Sequence, residues 1–247
     1  MIDLHCHILP GVDDGARTLE EAVQMCRMAA ADGCEAMIAT PHQRRGEWWN
    51  DDVKLLRGLA DQLQAAVGDG FRVALGGEVH AGPQLLEEVK RLPDGGVLPL
   101  AGSRYLLVEF NSYTTPAQAN DLVHELVIAG WRPIVAHPEF IPWLARSPEL
   151  LGDLLALGAT AQVTAMSLTG DFGRRPQQDT LLFLEEGMVH FVASDSHGTR
   201  NRPPGLRRAF QTIAARLGDE TARRLTTDNP RAVLEDRPLP AIAEGAA

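Results

Sequence analysis

The sequence predicts an α/β barrel of seven parallel strands, with helices outside and a site at the carboxyl ends of the strands. Three observations predict it. Seven short runs rich in Val, Ile, Leu and Ala alternate with helical patterns. Their starts lie about 27 to 35 residues apart, near the roughly 30 residues of a βαβ unit. Six of the seven runs deliver a His, Asp or Glu at the carboxyl end, where barrel active sites form. An open doubly wound sheet would spread those ends along a line, whereas a closed barrel gathers them onto one ring.

In order, the strands are Ile2–His5, Ala36–Thr40, Phe71–Leu75, Tyr105–Phe110, Pro133–His137, Thr160–Thr164 and Val189–Ser194. The first intervening helix opens at Thr18 as N-cap, with Glu21 three residues on as in a capping box, and closes at Gly33. The second follows Asn50, Asp51 and Asp52 and carries Val53, Leu56, Leu59, Leu63 and Ala66 at helical spacing. Pro116 and Pro148 mark later first turns, and Gly130, Gly158 and Gly187 stand just past helix ends. Residues 1–236 read as one domain and Arg237–Ala247, rich in Pro and Ala, as a loosely held tail.

Composition narrows the function. The 247 residues are 45% hydrophobic and 23% charged, enough for one large core. No apolar stretch approaches the roughly 18 residues of a membrane span, and the start does not read as a signal peptide. Three cysteines are too few and odd in number for a disulfide framework, so a cytoplasmic protein is expected. A net charge of −10 weighs against a nucleic-acid surface, yet bound cations would reverse the local field for an anionic substrate. All but Lys54 and Lys90 of the 23 basic residues are arginines, a bias that a GC-rich genome also produces.

The strand ends carry His5-Cys6-His7, Thr40-Pro41-His42, Glu78-Val79-His80, Glu109, His137 and Ser194-Asp195-Ser196-His197. Strand alternation puts His5 and His7 on one face and Cys6 on the other. It joins Asp195 to Phe191 and Ala193 and sets His190 opposite, as a structural residue; His124 belongs to a helix. His80 shares a face with Glu78, as a ligand or a neighbour of one. Any one of these could be a hydrogen-bonded core residue. Together they would bury several carboxylates, each costing several kcal/mol if uncompensated. Cations are the simpler account, and imidazole with carboxylate but no thiolate suits Zn, Mn or Fe.

These residues resemble the PHP (polymerase and histidinol phosphatase) superfamily, and within it the bacterial metal-dependent tyrosine phosphatases of the CpsB type. IDLHCHILPGVDDGA is the most specific piece, followed in order by ATPH, GGEVH, LLVEF, IVAHPE and FVASDSHGTRNRPP, over about residues 1–210. The resemblance implies a distorted seven-stranded (β/α)7 PHP barrel with two or three divalent ions, manganese first and iron or zinc as alternatives. His5, His7, Glu78 and Asp195 would hold the first ion. Glu78 would bridge to a second, completed by Glu109 and His137, while Asp14, His42 and His197 would hold the third. Preferring Asp14 to Asp13 rests on the resemblance alone. Where the family usually carries an arginine after His-Pro-Glu, this chain has Phe140. Arg202, Arg44 and Arg45 are then the candidate phosphate contacts, and Phe140 either shifts that task onto them or lines a wall for an aryl group.

The implied reaction is phosphomonoester hydrolysis by hydroxide bridging paired ions. A phenolate leaves readily, its pKa being near about 10, so no dedicated strong acid is required. The implied partner is a phosphotyrosine protein, such as a tyrosine autokinase of polysaccharide export, with no nucleic acid, and either a monomer or an oligomer fits. A small ester such as histidinol phosphate is the rival substrate. A non-enzymatic metal-binding regulator of a polysaccharide assembly complex is the rival from another class. An amidohydrolase-type site is disfavoured, because both lysines fall in predicted helices. Cys6 faces away from the ring, and no Cys-x5-Arg loop exists for thiol chemistry.

Overall fold

The computed structural model describes residues 1–82, 84–91 and 96–240. All seven predicted strands form, as β1 (Ile2–Cys6), β2 (Ala36–Ala39), β4 (Arg72–Leu75), β6 (Tyr105–Glu109), β7 (Arg132–Ala136), β8 (Thr160–Thr164) and β9 (Phe191–Ala193). Two short strands are added, β3 (His42–Gln43) and β5 (Glu78–His80). Every ladder between named strands is parallel.

The sequence expectation of one closed seven-stranded ring is met only in its coarser form, an α/β fold of parallel strands and helices. The strands form two sheets, β1-β2-β4 and β3-β5-β6-β7-β8-β9. The cause lies in two interruptions. Thr40-Pro41 separates β2 from β3, and Gly76-Gly77 separates β4 from β5. Gly77 is required there, since a Cβ would stand 2.2 Å from Gln43 Oε1, which accepts the Leu98 N–H while the Gln43 amide nitrogen donates to Asn50 O and Gly96 O. At the other seam, Cys6 pairs with Ser196, and the N–H groups of Asp195 and His7 donate to His5 O and Ser196 O, both at 2.9 Å.

Strand alternation sorts the side chains into two layers. Leu4, Ile38, Tyr105, Leu107, Ile134, Ala136, Phe191 and Ala193 form an inner apolar cluster, closed by Leu100 and Val233. Their strand neighbours Met37, Ala39, Leu106, Val108, Val135, Ala161, Val163 and Val192 turn outward into the larger core under the helices.

The helices begin and end where the punctuation placed them. Thr18 caps α1 (Leu19–Asp32) by accepting from the Glu21 N–H, and Gly33 ends it at φ 100°. Asp52 caps α2 (Val53–Val67), burying Leu56 and Leu63. The short α3 (Leu85–Val89) follows β5. Thr115 and Gln118 form a capping box on α4 (Pro116–Ile128), with Pro116 in the first turn. The remaining helices are α5 (Pro142–Arg146), α6 (Pro148–Ala156), α7 (Ala165–Thr169), α8 (Arg174–Glu185), α9 (Arg207–Leu217), α10 (Asp219–Arg223) and α11 (Asn229–Leu234). No helix among the described residues is long and apolar enough to cross a membrane. Of the expected tail, residues 241–247 lie outside the described residues. Before them, the Arg237 N–H donates to Ala232 O, Arg237 O accepts from the Tyr105 hydroxyl, and Leu239 rests on the inner cluster.

Candidate metal centre

The backbone aims the ligand-type side chains by irregularities at the strand ends. A register shift in β1 between Asp3 and Cys6 lets both Leu4 and His5 serve the interior, and His7 follows on the His5 side. Bulges are a common way to re-aim a side chain next to a site. His137 after β7 and Asp195 after β9 have φ of 32° and 51°. Left-handed backbone in a non-glycine residue costs on the order of 1–3 kcal/mol and persists where surroundings enforce it. The loop after β1 folds back so that the Ala16 N–H donates to His7 O at 3.0 Å. Gly15 permits this, because a Cβ there would lie 2.1 Å from the same oxygen.

Nine predicted ligand residues come together in four groups, each with donor atoms within 4.8 Å of one another. They are His7, Asp14, His42 and His197; His5, His137 and Asp195; His5, His7 and Glu78; and His42, Glu78 and Glu109. Glu78 sits centrally, its Oε1 2.7 Å from His137 Nε2 and 3.5 Å from His5 Nε2. His137 Nε2 is also 4.0 Å from Glu109 Oε1, so His42 and His137 both adjoin the Glu78–Glu109 pair. Asp14 Oδ1 lies 3.3 Å from both His42 Nε2 and His197 Nε2.

The tautomers follow from the outer contacts. His5 Nδ1 is 2.7 Å from Gln162 Oε1, His7 Nδ1 is 2.8 Å from Asp13 Oδ2, and His197 Nδ1 is 2.9 Å from Asp195 O. Each partner is an acceptor, so each Nδ1 carries a proton, and in the neutral ring Nε2 is left to present its lone pair inward. The Nε2 atoms of His5 and His7 stand 3.2 Å apart, and both lie 3.4 Å from Asp195 Oδ1. With those rings neutral, lone pairs and carboxylates converge on one region, and without a cation the same crowding favours a proton there instead. Glu78 Oε2 lies 2.6 Å from His42 Nδ1 but lacks hydrogen-bonding geometry and has no hydrogen-bond partner; buried His137 Nδ1 has none either. Such a set fits a divalent cation, and outer acceptors holding the far nitrogen are the usual support of a metal-binding imidazole.

The electrostatics express the same demand. Burial opposes charge on His7, but Asp13, Asp195 and Glu78 overcome it and push its pKa up to about 10. His137 is likewise raised to about 10 against its burial, chiefly by Glu78. Burial works against ionised Glu78, Asp195 and Asp14 too, yet the surrounding imidazoles hold all three below the usual carboxylate range. His197 goes the other way, lowered by burial and by the charge on His7.

Two of the three candidate arginines reach this ring. An Arg202 terminal nitrogen donates to Asp195 Oδ2, and its guanidinium carbon lies 5.7 Å over the Phe172 ring. Arg45 lies against His42, 2.7 Å from Nε2, and 3.5 Å from Glu109 Oε2. Arg44 does not reach it. At φ 63° its side chain turns to Glu88 at 3.0 Å and Asp51 at 3.7 Å and covers the Trp49 ring.

The other histidines separate as their positions allow. His80 touches Glu109 and Asn111 and belongs to no ligand group. His190 contacts Met188 O and the Ala161 N–H, and His124 is exposed on α4. Cys6 is fully buried with its thiol donating to Ile38 O, and burial raises its pKa well above the ordinary thiol value.

Three supporting residues, Gln162, Asp3 and Glu139, have no role in the sequence expectations, and a fourth, Asp13, enters them only as the alternative to Asp14. Asp13 orients His7 and accepts the His42 N–H at 3.1 Å. Gln162 is what β8, the strand without an acidic or imidazole end, contributes. Buried Asp3 accepts the Ser194 N–H, burial raising its pKa to about 6, and buried Glu139 accepts the Thr164 N–H. A search confined to His, Asp and Glu at strand ends overlooks an amide within a strand. Spacing alone does not separate Asp13 from Asp14.

Parallel strands with helices, bearing imidazoles and carboxylates in cation-ready groups at one end, define the class: an α/β protein with a candidate metal centre. Residues 1–235 match the family described as capsular polysaccharide synthesis, CpsB/CapC. The chain belongs to that family. It is 35% identical over 212 residues to a putative tyrosine-protein phosphatase CapC of Staphylococcus aureus, spanning 85% of this chain and 82% of that one. Tyrosine-protein phosphatase YwqE of Bacillus subtilis (strain 168) is 32% identical over 242 residues, 97% of this chain and 93% of the relative. A solved structure, described with YwqE and CpsB as unique metal-dependent tyrosine phosphatases, superposes with a TM-score of 0.91 at 32% identity, covering 97% and 96% of the two chains. A D-hydantoinase structure covers 98% of this chain and 72% of its own at TM-score 0.58 and 14% identity, a likeness of fold alone.

Proposed function

We propose that this chain is a metal-dependent phosphatase that removes phosphate from tyrosine side chains of proteins in capsule or exopolysaccharide synthesis. The observation that carries it is the inward convergence of the His5 and His7 Nε2 atoms with Glu78 and Asp195 oxygens. The family's tyrosine phosphatases supply the reaction class. In this reading His5, His7, Glu78 and Asp195 hold one ion, Glu78, Glu109 and His137 a second, and Asp14, His42 and His197 a third. Two or three ions fill these positions, manganese first. Bound divalent ions supply nucleophilic hydroxide at neutral pH and neutralise charge on the phosphate oxygens.

The chain's own residues do the rest. The ionised state of Glu78, Asp195 and Asp14 keeps them acceptors, as ligands must be. Gln162 and Asp13 fix the imidazole planes of His5 and His7. Arg202, leaning on Asp195, and Arg45, beside His42 and Glu109, are placed to donate to phosphate oxygens, where transition-state charge accumulates. Arg44 serves instead to hold its loop, through Glu88 and Asp51. The two sheets, tied at the Cys6–Ser196 seam, act as one distorted seven-stranded barrel within a single domain over residues 1–236. The partner is a phosphotyrosine protein such as a tyrosine autokinase of polysaccharide export, met in the cytoplasm.

The test is metal content together with turnover of a phosphotyrosine peptide and of histidinol phosphate, with and without manganese. Manganese-dependent hydrolysis of the peptide in preference to histidinol phosphate is expected. The reverse preference would turn the reading to a small-molecule phosphatase, and metal binding without hydrolysis of either would leave a regulator.

A further inference from the structure

We propose that Phe140 and Phe172 form an aryl clamp beside the metal centre, which recognises the phenyl ring of an aryl phosphate, and that Phe172 also positions Arg202. The inference rests on the phosphatase reading and concerns how the same site selects its ester. Three contacts make a continuous line. The Phe140 ring stands 5.9 Å from the His137 ring, Phe172 meets Phe140 edge-on at 5.5 Å and 72°, and Arg202 lies over Phe172 at 5.7 Å.

The backbone holds this line in place. His137, at φ 32°, turns the chain into a short 3-10 turn in which the Phe140 N–H donates to His137 O at 2.9 Å. The intervening Glu139 is buried and anchored on the Thr164 N–H at 2.8 Å. The turn is thus pinned to β8, and Phe140 is carried outward with 42% of its surface exposed. Trp48 is by contrast already stacked on His42, at 5.2 Å and 19°.

A lone exposed apolar side chain is ordinary. This one adjoins a candidate metal ligand on one side and a second aromatic ring on the other. An aryl phosphate carries its ring one oxygen away from phosphorus, so phosphate held at the donor groups brings the phenyl group to a side chain beside His137. A ring pair of this kind is worth about 2- to 10-fold in affinity, and an alkyl ester gains none of it. Arg202 has its Nε buried without a hydrogen-bond partner. The Phe172 face and Asp195 are what fix its fork, so Phe172 acts on the phosphate through Arg202.

The experiment measures binding of phenylphosphonate and methylphosphonate, neither hydrolysable, to the manganese-loaded protein by calorimetry. The natural chain should favour phenylphosphonate by about 2- to 10-fold. Phe140→Ala should remove most of that preference, while Phe140→Tyr, which keeps a ring, should retain it. Phe172→Ala should weaken both phosphonates, because Arg202 loses its support. A Phe140→Ala protein with undiminished phenyl preference, or a natural chain that binds the two phosphonates equally, overturns the clamp and leaves the phosphatase reading standing. Failure to bind either phosphonate overturns both.

Discussion

The same strands build two layers of opposite character. Below, Leu4, Ile38, Leu107, Ile134 and Phe191 pack into a buried apolar cluster. Above, one or two residues beyond Leu4, Leu107, Ala136 and Ala193 of that cluster, stand His5, Glu109, His137 and Asp195. Burying a side chain such as Leu or Phe contributes about 1.5–3 kcal/mol, whereas burying carboxylates and left-handed residues costs free energy that only partners offset. The lower layer stabilises the fold. The upper layer is held in place by it, with a cation-seeking arrangement that folding alone would not select.

Changes in the upper layer should therefore strike function and spare the fold. Glu78→Ala is expected to abolish turnover of a phosphotyrosine peptide and reduce bound metal, measured by elemental analysis, with thermal unfolding still cooperative; His5→Ala and Asp195→Ala should behave alike. Full activity in Glu78→Ala would sink its central role.

The converse change sits one layer down. Phe191→Ala should cost about 3–5 kcal/mol in denaturant unfolding, through lost burial and a cavity, while metal bound per folded molecule is kept. Equal metal loss in both classes of variant would erase the distinction between the layers.

Arg202→Ala sharpens the comparison at the rim of the upper layer. Losing a charged hydrogen bond made mainly in the transition state should lower kcat by about 30- to 1,000-fold, or roughly 2–4 kcal/mol, with metal content unchanged. Unaltered kcat would remove Arg202 from phosphate binding. Smaller still is the change expected at Cys6, which lies between the ring residues yet points away from them. Its thiol is held protonated by burial, so Cys6→Ser should keep metal-dependent turnover. Abrupt loss with metal retained would revive thiol chemistry.

The smallest effect is a pH dependence below the inner cluster. Burial and then the charge of Arg224 lower the His190 pKa beneath its ordinary 6.5, against a hydrogen bond to Met188 O. Above about pH 6.5 the imidazole is neutral in both the folded and the unfolded chain and costs nothing. As pH falls below that, the unfolded chain takes up the proton first and stability declines. Unfolding measured at pH 7.5 and 5.5 should show a smaller acid loss in His190→Gln than in the natural chain.

Strand alternation along one chain was legible without a structure, and so were the helix caps at Thr18 and Gly33 and the six strand ends bearing His, Asp or Glu. These depend on local physics: side-chain period, capping hydrogen bonds and the places where apolar runs stop. The IDLHCHILPGVDDGA opening also carried the family. Tertiary structure alone decided which neighbour does what. Asp13 and Asp14 are adjacent in sequence, but the Gly15 turn sends one to His7 Nδ1 and the other toward His42 and His197. Arg44 and Arg45 are adjacent as well, and left-handed backbone at Arg44 sends it to Glu88 while Arg45 stays at the ring. Gln162 and Phe172 gained their roles from contacts with His5 and Arg202. Gly76-Gly77 and Thr40-Pro41 interrupt the expected ring of strands, which lies in two sheets, and the two glycines answer to close packing against Leu100 and Gln43, distant in the chain. A residue's type and period are local properties, whereas the direction of its side chain depends on backbone angles and neighbours that the completed fold supplies.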